Sequence, residues 1–326
     1  MIIENSKIYD VTDVENIFFR PTFCGKSADE MGIRVLYNMP TPTKVPFFRH
    51  NNDILREFSS GWQGERKSYF EEQEIPMYKL KAESAYSAER YFSTIYEMLV
   101  TLNGDAMGDL SGSDLEKAET ELFRRSLAES IYATTWFGDI DGEVSDYVGF
   151  QGFIRDIIDL KSLYGDNIPL KLHLNPQEMG VEEILRLSWT NADDDLRSLA
   201  SDGNLAYFVT SDIYDAYQFY LDANGTSNAY LDTVNGRPTL SYHGIQLIEI
   251  PSKRYDVRRG GSFCILTDRR NLILALNTAD SPEKEIRMWY NPDEMENRQR
   301  VVFLAGTAIA DSNLISAYIY DKGVNL

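Results

Sequence analysis

The sequence predicts an α+β fold, with helices and strands segregated along the chain. Three observations carry this. The first fifty residues are extended and broken by Pro21, Pro40, Pro42 and Pro46, the middle holds amphipathic helices with capping signals, and the last third is a succession of short alternating strands without a βαβ rhythm.

Residues 1–50 carry their apolar side chains in short clumps, Ile17-Phe18-Phe19 and Val45-Pro46-Phe47-Phe48. Proline fixes φ and drives its predecessor toward extended conformation, so MPTPTKVPFF is non-helical. Such an arm has no core of its own and must lay Phe18, Phe19, Phe47 and Phe48 on the rest of the chain or on a neighbour. Over 58–86 two polar segments flank Glu71-Glu72-Gln73-Glu74 and Pro76, and Tyr78, Leu80 and Ala82 alternate with Lys79, Lys81 and Glu83 at the strand period of two. This predicts a long two-stranded hairpin. A hairpin alone is marginal in water, so it needs an outside surface. Trp62, Arg66, Lys67, Tyr69, Phe70 and Tyr78 join the four arm phenylalanines as candidate contacts with a neighbouring copy.

Helices follow. Ser87 is placed to cap AERYFSTIYEMLVTL, and Ser113-Asp114-Leu115-Glu116 is a capping box in which the serine and glutamate side chains satisfy each other's free amides. Leu115, Ala118, Leu122, Phe123, Leu127 and Ile131 recur at three- to four-residue spacing until Gly138. A helix over 114–136 spans roughly 30 Å at 1.5 Å per residue. Residues 139–175 read as loops and short helices, and 177–200 as helix interrupted near Trp189-Thr190-Asn191. AYFVTS is a buried strand, DIYDAYQFYLD a helix capped at Ser211, and GIQLIEIP a strand. FCILTDRRNLILAL is two strands across an Asp268-Arg269-Arg270-Asn271 turn, and 285–321 holds three more.

Composition narrows the function classes. At roughly 150 residues per domain, a chain of this length forms about two units or one elaborated domain. It carries 32 Lys+Arg against 51 Asp+Glu, a formal charge of −19. That balance opposes sequence-independent attachment to phosphate backbones, which needs clustered bases to release counterions. Local phosphate contact stays open at Arg124-Arg125, Arg258-Arg259 and Arg269-Arg270. The opening MIIENSKIYD lacks a signal-peptide pattern and no window approaches a membrane span, so a soluble, intracellular protein is expected. Cys24 and Cys264 form no metal or disulfide pattern and are expected to be reduced residues in apolar surroundings.

Motifs for chemistry fail in turn. Cys24-Gly25-Lys26-Ser27 lacks the first P-loop glycine, where Arg20 stands. Asp139 and Asp141 open a calcium-like loop, but Val144 and Phe150 occupy its turn-glycine and bidentate positions, which leaves a turn. His50, His173 and His243 belong to no catalytic pattern. Asp193-Asp194-Asp195 and Asp293, Glu294, Glu296 could hold Mg²⁺ or Ca²⁺, although acid runs more often form helix first turns. Asn224-Gly225-Thr226 is a turn. No enzyme, cofactor or metal is expected.

The order of elements resembles the major capsid proteins of tailed bacteriophages, with the fold named for phage Hong Kong 97. The resemblance rests on the arm, the hairpin, the helix 114–136 closing in ESIYATTWFGD, NLAYFVTSDIYDAYQFYLD, SYHGIQLIEIP, SFCILTDRRNLILAL and RQRVVFLAGTAIADSNLISAYI. It implies an N-terminal arm over 1–50, an E-loop hairpin over 51–86, a P domain over 87–175 with its spine helix, an A domain over 176–282, and strands returning to the P domain over 283–326. It also implies a structural shell protein that forms pentamers and hexamers around phage double-stranded DNA, assembled in the host cytoplasm. Portal, scaffold or decoration proteins are implied partners, the packaged DNA is held by weak non-specific contact, and no membrane is involved. The arm begins almost at Met1, so a scaffold is expected as a separate chain or not at all. Lys67, Lys79 and Lys81 lie in the hairpin, but nothing marks a crosslinking partner. Encapsulins, bacterial compartments similar in fold, are the alternative; a metal-dependent hydrolase using the acidic clusters is a weaker one.

Overall fold

The computed structural model describes residues 7–8, 28, 31–37, 43–49, 60, 69–87, 114–141, 147–165, 170–171, 179–224, 230–234, 237–251, 261–277 and 287–320. In chain order the elements are β1 (Lys7–Ile8), β2 (Arg34–Tyr37), β3 (Thr43–Arg49), β4 (Tyr69–Ile75), β5 (Tyr78–Ser87), α1 (Asp114–Phe137), α2 (Phe153–Tyr164), β6 (Leu170–Lys171), α3 (Val181–Thr190) and α4 (Asp194–Ser198). Then come β7 (Leu205–Thr210), α5 (Ser211–Ala223), β8 (Tyr230–Val234), β9 (Arg237–Tyr242), β10 (Ile245–Ile250), β11 (Ser262–Asp268), β12 (Leu272–Asn277), β13 (Arg287–Asn291), β14 (Glu296–Ile309) and β15 (Ile315–Tyr320).

Continuous apolar runs form the centre of a seven-stranded sheet ordered β6-β15-β11-β7-β10-β9-β8. LAYFVT of β7 and SFCILTD of β11 are buried at every position, because both faces of the sheet are covered. Ala206, Phe208, Phe263 and Ile265 turn toward α1, whose Leu127, Ile131, Ala133 and Trp136 share their core. Tyr207, Val209, Cys264 and Leu266 turn the other way, onto Ile184 and Leu185 of α3, Leu196 of α4, and Ile213 and Tyr217 of α5. Trp136 is fully buried, with ring centroids 5.3 Å from Phe153, 5.2 Å from Phe208 and 6.0 Å from Phe263.

The six-stranded sheet runs β1-β13-β14-β12-β2, with β5 also on β14. Residues 296–300 of β14 pair with both β13 and β5, and residues 304–305 with both β12 and β5. A strand has two edges, so β13 and β12 follow one another along one edge while β5 takes the other. Val301, Phe303, Ala305 and Ile309 of β14, with Leu272, Leu274 and Leu276 of β12, face the core around α1. One core thus lies between the two sheets.

The helix expected over 114–136 is α1, and it ends where Gly138 donates its amide to the Thr134 carbonyl at 2.8 Å. A Cβ at Gly138 would stand 2.1 Å from the Phe150 carbonyl oxygen, so the returning chain requires glycine there. The break expected near Trp189-Thr190-Asn191 separates α3 from α4, and the three terminal strands are β13, β14 and β15. The helix expected after Ser87 lies outside the described residues.

Four expectations are corrected. The hairpin is not two strands within 58–86: β4 pairs with β3, while β5 pairs with β14. Pro76 and Met77 separate β4 from β5, and the partner of β4 lies upstream. The first fifty residues are not wholly an arm, since β1 and β2 join the six-stranded sheet and Met31 and Ile33 enter the core. The strands on either side of Asp268–Asn271 belong to different sheets, so the chain returns to the six-stranded sheet already at Leu272, and β15 goes back to the seven-stranded one. The N-cap of α5 is Thr210, not Ser211, and its hydroxyl is turned instead to the Phe263 backbone, 3.3 Å from the amide nitrogen.

Candidate assembly site: the hairpin root and the crossovers

Among the described residues, the hairpin is anchored at its root. β3 and β4 are antiparallel from Thr43 opposite Ile75 to Arg49 opposite Tyr69, which leaves residues 50–68 as the link between them. They form a two-stranded sheet, in which Pro46 is tolerated because a strand with one partner keeps a free edge. Ile75, at the root, is buried against Ile273, Ala275 and Ala308 on the face of the six-stranded sheet that turns away from α1. The Pro76 carbonyl then crosses directly over Gly306, where a Cβ would stand 1.9 Å from its oxygen. From there the chain runs along β14 as β5, with Tyr78 opposite Ala305 and Leu80 opposite Phe303. Lys44 and Glu72 add an ion pair at 3.5 Å, half-exposed and worth little.

The expected contact residues separate into groups. Phe47 and Phe48 lie on β3, Tyr69 and Phe70 on β4, and the register sets Phe48 opposite Phe70 and Phe47 opposite Glu71. Tyr78 packs partly buried against the chain's own core, and burial, then Asp156 and Asp159, hold its hydroxyl above the usual tyrosine range. Phe18, Phe19, Trp62, Arg66 and Lys67 lie outside the described residues.

Sequence reasoning missed the pair of crossovers that join the sheets. Asp268 leads from β11 toward β12 and its carboxylate accepts from the Arg270 amide at 2.8 Å; Asp311 leads from β14 toward β15 and accepts from the Asn313 amide at 2.9 Å. Each is an aspartate closing a turn on the amide two residues on. Buried Asn271 ties them together. Its side-chain nitrogen lies 3.0 Å from the Asp311 carbonyl, 3.2 Å from the Leu314 carbonyl and 3.1 Å from the Thr267 hydroxyl, while its side-chain oxygen accepts from the Asp311 amide at 2.7 Å. Thr267 donates to the Leu314 carbonyl at 2.6 Å, and the Ala310 amide to the Asn271 carbonyl at 2.9 Å. The Arg269-Arg270 pair is held too: Arg269 reaches Gln246 at 2.7 Å and Arg270 clasps Asp268 at 2.6 Å. The repeated aspartate at strand ends, in DRRN and DSNL, was the available signal.

The acidic runs are engaged in a helix cap and in ion pairs. Asp193 caps α4 by accepting from the Asp195 amide at 2.9 Å, and Asp194 pairs with Arg197. Arg298 reaches Glu294 and Glu296. Among the described residues no group of three or more His, Cys, Asp or Glu gathers where a metal ion could sit. Asp139 is buried, and its carboxylate closes a turn on the Asp141 amide at 3.3 Å. His243, in a left-handed turn, stacks on Trp189. Cys264 is a free, buried thiol, pushed up to about 12 by desolvation, as expected for an inert core residue; Cys24 lies outside the described residues. No helix among the described residues is long and apolar enough to cross a membrane.

No protein-family profile and no curated protein matches the chain. Solved structures do. A chain of Gordonia phage Cozz superposes with a TM-score of 0.53 at 11% identity, covering 91% of this chain and 86% of its own. A chain from the satellite phage P4 procapsid that includes the size determination (Sid) protein gives 0.52 at 9% identity, covering 89% and 93%. The SrpI encapsulin of Synechococcus elongatus PCC 7942 reaches 0.49 at 9% identity, too low to bear on the argument. The mixed helix-and-sheet architecture is shared with these two phage chains. At this low identity the likeness is one of fold, shared with a chain of a phage and a chain of a satellite-phage procapsid over about nine-tenths of this chain.

Proposed function

We propose that the chain is a major capsid protein that self-assembles into pentamers and hexamers and closes an icosahedral head around phage double-stranded DNA. The observation that carries this reading is a fold shared with a phage procapsid chain over about nine-tenths of the chain, together with a hairpin whose anchor among the described residues is its root at Ile75. In this reading β3, β4 and the link between them are the E-loop, α1 is the spine helix of the P domain, and the seven-stranded sheet with α3, α4 and α5 is the A domain. Phe18, Phe19, Phe47, Phe48, Trp62, Arg66, Lys67, Tyr69 and Phe70 then rest on neighbouring subunits. The role is structural, without catalysis. Portal, scaffold or decoration proteins complete the particle, which assembles in the host cytoplasm.

The acidic balance fits such a lining, because weak contact lets DNA slide where clustered bases would hold it. Replacing residues 52–66 by a short Gly-Ser link, with β3 and β4 kept, tests the proposal by electron microscopy. A folded subunit that no longer closes shells is expected; normal particles from the shortened chain refute the hairpin's role. DNA in wild-type particles fits a phage head, and a protein cargo in its place points to a compartment.

A further inference from the structure

One hydroxyl faces two oxygen partners beside the hairpin root. Thr307 of β14 is 1% exposed, and its Oγ1 lies 2.5 Å from the Gln151 carbonyl oxygen and 2.8 Å from Oδ2 of Asp156 on α2. Both separations are hydrogen-bond distances between oxygens, so each needs a proton, and the threonine supplies one. The second must sit on the carboxyl. With Asp156 neutral, its O–H donates to Thr307 Oγ1 and the threonine O–H donates to Gln151. With Asp156 ionised, one proton has left to solvent, the threonine proton turns to the carboxylate, and two oxygens are left facing each other without a hydrogen.

We propose that Asp156, Thr307 and the Gln151 carbonyl form a proton-gated clasp between α2 and β14, closed when the carboxyl is neutral and loosened when it ionises. The surroundings favour the neutral form. Asp159 lies one turn along the same helix, held by Gln151 Nε2 at 2.8 Å and Arg155 Nε at 3.4 Å, and Tyr78 approaches from β5. Burial is the largest influence and raises Asp156 to about 7; the Thr307 hydroxyl pulls the other way, and Asp159 adds to the rise. A carboxyl whose pKa is raised on folding contributes stability that is full below its ordinary range near 3.8 and is lost as pH climbs through about 7. The clasp therefore opens with rising pH. Thr307 adjoins Gly306, over which Pro76 crosses, so the opening is felt where the hairpin is rooted. The clasp belongs to the folded subunit and does not depend on the shell reading.

Hydrogen–deuterium exchange of the full-length chain at pH 6 and pH 8.5, corrected for intrinsic rates, tests it. Peptides covering 150–158 and 303–310 are expected to lose about tenfold protection at the higher pH, the equivalent of one pKa unit, while β7 and β11 do not change. Asp156→Asn, whose amide donates to Thr307 at every pH, is expected to stay protected at pH 8.5. The wild-type pH dependence persisting in Asp156→Asn overturns the proposal. Should that variant fail to fold, Asp159→Asn decides: with the neighbouring negative charge that favours the neutral Asp156 carboxyl gone, the exchange transition moves to lower pH if the clasp is present, and a transition that stays in place or moves to higher pH overturns the proposal.

Discussion

The two sheets differ in what covers them. The seven-stranded sheet has α1 on one face and α3, α4 and α5 on the other, and its central strands β7 and β11 are buried throughout. The six-stranded sheet has a core on one face, while on the other the described cover over Ile273, Ala275 and Ala308 is Ile75, Leu36, Met77 and Ala310, largely the root of a hairpin and an edge strand. The first carries its own core on both sides. The second is finished by a segment that leads straight into the hairpin, so whatever moves the hairpin is transmitted to β12 and β14.

Substitutions can break or sharpen this contrast. Trp136→Ala removes the ring that both sheets share around α1, and the expected loss of about 3–5 kcal/mol in a denaturant melt should unfold both together. Asn271→Ala leaves the crossovers without their tie; about 1–3 kcal/mol is expected, because part-buried carbonyls and an amide lose their partners. Its melt should separate into two transitions if the crossovers couple the sheets. Gly306→Val forces the Pro76 carbonyl away and is expected to cost about 1–3 kcal/mol, with seven-stranded-sheet exchange unchanged and shell yield sharply reduced. Arg186→Ala removes an exposed ion pair with Glu183 on α3 and should change the melt by about 0.5 kcal/mol or less.

Much of this contrast was legible in the sequence. Buried strands such as AYFVTS read directly from their apolar runs, and α1 from its periodicity and Gly138, since local signals suffice when a segment is buried on all sides. Pairing was harder. β4 finds its partner across residues 50–68, and Pro46 within β3 disguises a strand, so alternation alone joined β4 to β5. Asp268–Asn271 has the composition of a hairpin turn, yet nothing local records that its two strands enter different sheets. Asn271 and Asp156 were missed because a turn asparagine and a helix aspartate are ordinarily solvated, and their burial follows from the approach of the distant residues Asp311 and Thr307.

The central claim is that the hairpin, rooted in its own subunit, completes its burial on a neighbour. Electron microscopy of the purified full-length chain tests it most directly, beside the chain shortened over residues 52–66. Closed shells from the first and folded, unclosed subunits from the second are predicted; a wild-type chain that stays monomeric at high concentration would contradict the account.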